Sequence, residues 1–115
     1  MLNQFVGVGR LVAEPSVKET EDGKQVSNIT IAVPRSYKNE NGEYDTDFVD
    51  VVLWNGIAEN TAEYCHKGDI IGVKGRIETL IDKETNTKRM QINGEKVTFL
   101  AAKSREQEKE NELTR

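Results

Sequence analysis

A chain of 115 residues with 36% hydrophobic content fits one compact domain with a real core, but not one large enough to enclose an elaborate active site. No run approaches the roughly 20 apolar residues of a membrane-spanning helix, residues 1–6 lack the basic and apolar regions of a signal peptide, and the single cysteine, Cys65, can form no internal disulfide; a soluble cytoplasmic protein is expected. The net charge is −4, and because four bases and four acids cancel among the last fifteen residues, all of it belongs to residues 1–100, so a nucleic-acid footprint needs basic residues segregated on one face.

Short β-type runs separated by turn-rich loops dominate the chain. Residues 5–12 form a first strand, in which Gly7 and Gly9 predict a bend or bulge. Residues 14–24, with Pro15 and Asp22-Gly23, read as a loop. Residues 25–34 alternate, placing Ile29, Ile31 and Val33 on one face and Asn28, Thr30 and Ala32 on the other. Residues 36–46, containing Asn41-Gly42, form a second loop or hairpin tip, and a third strand covers 46–55. Residues 57–66 are the only good helical segment, closed by Lys67 and Gly68. A fourth strand covers 69–80, with Ile71, Val73 and Ile77 facing one way and Lys74, Arg76 and Glu78 the other. A polar tip at 82–86 leads to a fifth strand at 88–100.

Three strands, one helix and two strands is the order of an all-β OB-fold: a five-stranded Greek-key barrel with its helix between the third and fourth strands. The domain spans 1–102, and 103–115 reads as a short charged, disorder-prone tail. Such barrels bind oligonucleotides or oligosaccharides on one face, and architecture alone does not choose between them.

The segment 48–54, F-V-D-V-V-L-W, narrows the choice. Val49, Val51 and Leu53 share one aliphatic face, which is the core side. Phe48, Asp50, Val52 and Trp54 share the other, which carries a charge together with the only tryptophan and one of three phenylalanines. Base stacking explains large rings on a solvated face, at roughly 1–3 kcal/mol per base. Cover by a loop or a partner subunit is the alternative, because interfaces also favour aromatic residues. Tyr37, flanked by Arg35 and Lys38, pairs a stacking surface with two cations. Arg10, Lys67, Lys74 and Arg76 are further phosphate-contact candidates, against the plainer reading of each as a solvated surface charge.

Four stretches in order and spacing carry a family resemblance: N-Q-x-x-x-V-G-R-L at 3–11, V-S-N-I-T-I-A-V-P-R-S-Y at 26–37, D-F-V-D-V-V-L-W-N-G-I-A-E-N at 47–60, and Y-C-H-K-G-D-I-I-G-V-K-G-R-I-E-T at 64–79. Over residues 1–100 the chain resembles the bacterial single-stranded DNA-binding proteins. The resemblance implies an OB fold, assembled as a homotetramer (a dimer being the alternative), that coats single-stranded DNA without sequence preference in replication, recombination or repair. It implies stacking by Tyr37, Phe48 and Trp54, with Arg35 and Lys67 as basic contacts and Arg10, Lys38 and Arg76 less firmly carried over. Departures point to weaker, more stacking-dependent binding: Ile81-Asp82 stands where a further aromatic is common, and Glu78, Leu80 and Asp50 occupy positions familiar as basic. The tail at 104–115 carries no acidic recruiting tip with an apolar terminus.

Other classes find little support. Cys65 and His66 are helix neighbours about 100° apart and do not face each other, so no nucleophile–base pair is indicated. A cysteine at the end of an amphipathic helix is expected to be a small buried hydrophobe. One cysteine and one histidine cannot supply a zinc site, and Gly7-Val8-Gly9 lacks a third glycine and a following helix. No cofactor, metal, membrane or small-molecule substrate is expected. The competing reading is an OB-fold protein-interaction module of primosome-like type with weak DNA binding, favoured by the acidic balance and opposed by the retained aromatics.

Overall fold

Period-two alternation turns one side of each strand inward, and enough such strands can close on themselves and remove exposed edges. A computed structural model describes residues 1–102 and shows this closure. In chain order the elements are β1 (Phe5–Leu11), β2 (Lys18–Glu19), β3 (Gln25–Lys38), β4 (Tyr44–Trp54), α1 (Asn55–Tyr64), β5 (Ile70–Asp82) and β6 (Thr87–Ala101). The sheet order is β1-β5-β6-β4-β3-β2, and β1 also pairs with β3 through Arg10↔Ala32 and Leu11↔Ile31. Five strands thus form a closed barrel, with the two-residue β2 added outside β3. The pairing of β4 with β6 is parallel, at Val51↔Ile92 and Val52↔Asn93; the others are antiparallel.

Inward aliphatics fill the barrel: Leu11, Ile29, Ile31, Val51, Leu53, Ile71, Val73 and Ile92 are buried. Helix α1 packs Ala58 against this core, with buried Cys65 just beyond its end. Burial of each such side chain contributes on the order of 1.5–3 kcal/mol.

Several expectations are corrected. Gly7 and Gly9 mark no bulge, because β1 pairs with β5 in unbroken register from Phe5↔Gly75 to Arg10↔Ile70. Gly9 instead permits barrel closure: a Cβ there would lie 2.7 Å from the Ala32 carbonyl oxygen, where β1 passes from β5 to β3. The irregularities fall in β6, where the pairing with β5 skips Glu95 and Leu100, and in β3 between Pro34 and Lys38. The loop at 14–24 contains β2, and β3 and β4 run on as a paired ribbon to Lys38↔Tyr44, so the hairpin tip is shorter than 36–46. Helix α1 starts and stops two residues early; the Cys65 N–H donates to the Thr61 carbonyl at 2.9 Å, and Gly68 shapes the following turn rather than the helix end. Ile77 keeps the inward side of β5 but is exposed, because it lies where the β5–β6 hairpin leaves the barrel. The tail expected at 103–115 lies outside the described residues.

Candidate nucleic-acid interface

The outward side of β4 is set by parity with the core. Val51 and Leu53 point in, so Phe48, Asp50, Val52 and Trp54 point out, opposite Ala32, Thr30, Asn28 and Val26 of β3. Phe48 is 67% exposed and Trp54 36%, while Val52, lying between Asn28 and Asn93, is buried despite its outward position. The two rings stand three strand pleats apart, about 20 Å. Trp54 is also the N-cap residue of α1, with extended backbone (φ −121°). The next residue, Asn55, turns to φ 53°, and its side-chain Oδ1 accepts the Gln25 N–H at 3.3 Å. That junction fixes the backbone beneath the indole.

Tyr37 is 62% exposed on the outer part of the β3–β4 hairpin, within the register irregularity between Pro34 and Lys38. Lys38 Nζ lies 5.8 Å from the centroid of the Tyr44 ring, a cation–π contact on the same ribbon. A cross-barrel row runs Arg10–Ala32–Phe48, which places Arg10 two strands from Phe48, with its guanidinium directed to the β5 side of β1. Its Nη1 donates to the Gly68 carbonyl at 2.7 Å, tying β1 to the turn that bears Lys67. Arg76 pairs with Asn93, which adjoins Val52 of β4. Lys74 is set apart, between Val6 and Lys96 on the sector beside β1.

Acidic neighbours engage several cations. Arg35 donates through Nε and Nη2 to Asp47, at 3.1 and 2.9 Å, and Asp45 lies 3.9 Å from Nη1. Hydrogen bonding to Asp47 raises the guanidinium pKa further and holds the Asp47 carboxyl below its ordinary value. Arg76 Nε is 3.9 Å from Glu78. Glu14 accepts the Lys67 backbone N–H at 3.0 Å and lies 3.2 Å from His66 Nδ1. The Lys67 backbone bond, followed by the His66 bond, lowers the Glu14 pKa.

Sequence reasoning missed Tyr44 and the β6 side chains Arg89, Met90 and Gln91. The last three, with Asn28, Thr30 and Asp50, line a groove of about 290 Å³ between β3, β4 and β6. The run Lys88-Arg89-Met90 is a visible basic signal, but its place beside Asn28, Thr30 and Asp50 depends on how β6 registers against β5 and β4, which local alternation does not reveal. Cys65 is buried, and burial pushes its thiol pKa up, opposite to the shift of an activated nucleophile. Among the described residues no group of three or more His, Cys, Asp or Glu side chains could hold a metal ion.

Comparison with known proteins places this architecture. A model described as "Single-strand binding protein family" matches residues 2–100. The chain is 41% identical over 109 residues to single-stranded DNA-binding protein B of Bacillus subtilis (strain 168), covering 92% of this chain and 96% of that protein. It is also 41% identical over 103 residues to a single-stranded DNA-binding protein of Halalkalibacterium halodurans, covering 87% of this chain but only 61% of the relative. The crystal structure of the single-stranded DNA-binding protein from Thermus aquaticus superposes with a TM-score of 0.78 at 24% identity, over 90% of this chain and 52% of that one. That likeness establishes the OB fold.

Proposed function

Because the chain belongs to the single-strand binding protein family, we propose that it coats and protects single-stranded DNA, independently of overall sequence, during replication, recombination or repair. The activity is stoichiometric binding with no chemical step. The observation that carries this reading is the exposed pair Phe48 and Trp54 on one barrel face, with Tyr37 farther out on the same hairpin. Bases stack on these rings, while Lys38, Lys67, Arg76, Arg10 and Arg35 supply phosphate contacts; Lys74, paired with Val6, lies outside this face. Duplex DNA binds poorly because its bases are already stacked. The protein works in the cytoplasm, at the nucleoid.

The active form is a homo-oligomer, a tetramer in preference to a dimer. Exposed Val6 and Val8 on β1 and Leu100 on β6 support this, with Val8 and Leu100 flanking Gly72 of β5. Light scattering distinguishes monomer, dimer and tetramer.

Titration with oligo(dT), followed by Trp54 fluorescence at low and moderate salt with duplex DNA as control, tests the binding reading. Quenching by the single strand alone is the expected result. Absence of binding at low salt would overturn it and favour a protein-interaction module, a reading to which the engagement of Arg35 by Asp47 lends weight.

A further inference from the structure

The groove between β3, β4 and β6 places a carboxylate where a DNA-coating surface would be expected to avoid one. Asp50 Oδ1 accepts the Thr30 hydroxyl at 2.8 Å. Among the described residues Oδ2 has no hydrogen-bond partner, and no base lies within salt-bridge distance of the carboxylate. A phosphate would be repelled from this point, whereas a neutral hydrogen-bond donor would be attracted. The groove, at about 290 Å³, stands at the lower end of the roughly 300–1,000 Å³ range of small-molecule pockets and suits one base rather than a larger ligand. Phe48 stands two residues from Asp50 on the same strand face, so a base stacked on that ring can turn its edge towards the carboxylate.

We propose that Asp50 gives this surface a preference for bases carrying an exocyclic amino group, with cytosine the best fit. The inference rests on the single-strand-binding reading above. The cytosine N4 amino group donates to a carboxylate, whereas thymine and uracil present a carbonyl oxygen at the same place. The amides of Asn28 and Gln91 and the guanidinium of Arg89, all lining the groove, can donate to the cytosine N3 and O2 acceptors. Met90 adds apolar surface beside the ring. Binding remains general along the strand because Trp54 and Tyr37 stack any base, and selection acts only at the Asp50 position.

Oligo(dC) and oligo(dU) of equal length provide the test, because their bases have nearly the same size and differ in the exocyclic group and the N3 proton. Titrations at mildly alkaline pH keep cytosine unprotonated, and Trp54 fluorescence reports binding. The wild-type protein is expected to bind oligo(dC) at least roughly fivefold more tightly. In Asp50→Asn the ratio falls towards one, chiefly through stronger oligo(dU) binding, because an amide both donates and accepts. Equal affinities in the wild type, or a preference that survives Asp50→Asn, would overturn the proposal while leaving single-strand binding in place. Binding of neither oligonucleotide would overturn the binding reading and this inference with it.

Discussion

Asp47 grips the Arg35 guanidinium at two points, Oδ1 on Nη2 at 2.9 Å and Oδ2 on Nε at 3.1 Å, beside the aromatic surface of the β3–β4 hairpin. A cation so paired is only partly available to phosphate. Removing the carboxylate in Asp47→Ala is expected to free Arg35 for DNA, tightening binding at low salt. The slope of log affinity against log salt should steepen by about 0.7, the value for one added phosphate contact on a single strand. Titrations over a salt series check this; an unchanged slope would mean that Asp47 does not compete with DNA for Arg35.

Phe48 is exposed, so Phe48→Ala removes little folded-state packing. It is expected to weaken single-strand binding by about 1–3 kcal/mol and to leave the unfolding midpoint nearly unchanged. Trp54 fluorescence reads the binding, and urea denaturation reads the stability.

Gly75 lies where β5 passes close to the β6 backbone at Asn93 and Gly94. A Cβ there would collide with the backbone carbonyl of Asn93, next to the bulge at Glu95. Backbone cannot swing aside as a flexible side chain can, so Gly75→Ala is expected to destabilise the fold by about 2 kcal/mol. Thermal or urea unfolding of the variant measures the loss.

Glu14 joins the segment after β1 to the turn at Lys67. Its carboxylate is favoured by folding, so its pKa lies below the ordinary 4.5. The associated stability is therefore fully present above 4.5 and is lost as pH falls through the lower folded-state value. Glu14→Gln should be less stable than wild type at neutral pH, and the gap should narrow below 4.5. Urea midpoints across that range check the sign.

Alternation alone made the aromatic surface legible. Val49, Val51 and Leu53 could only face a core, which forced Phe48, Asp50 and Trp54 outward, and the structure exposes all three. The same logic failed for Val52, outward by parity yet buried, because the parallel pairing with β6 brings Asn93 alongside it. Arg35 read as a free cation from its neighbours in sequence. Its partner Asp47 is twelve residues away and reaches it only because the hairpin pairs Val33 with Asp47.

What the sequence determined by itself was the order of the five barrel strands and the helix, the inward aliphatic set and the outward aromatics, because each is written in a local period of the chain. The closure of β1 onto β3, the bulges in β6 and the groove uniting Asp50 with Thr30 and Gln91 were decided only by the tertiary structure. They join residues far apart in the chain, and their geometry follows from how strands twist and register against one another, which no local pattern encodes.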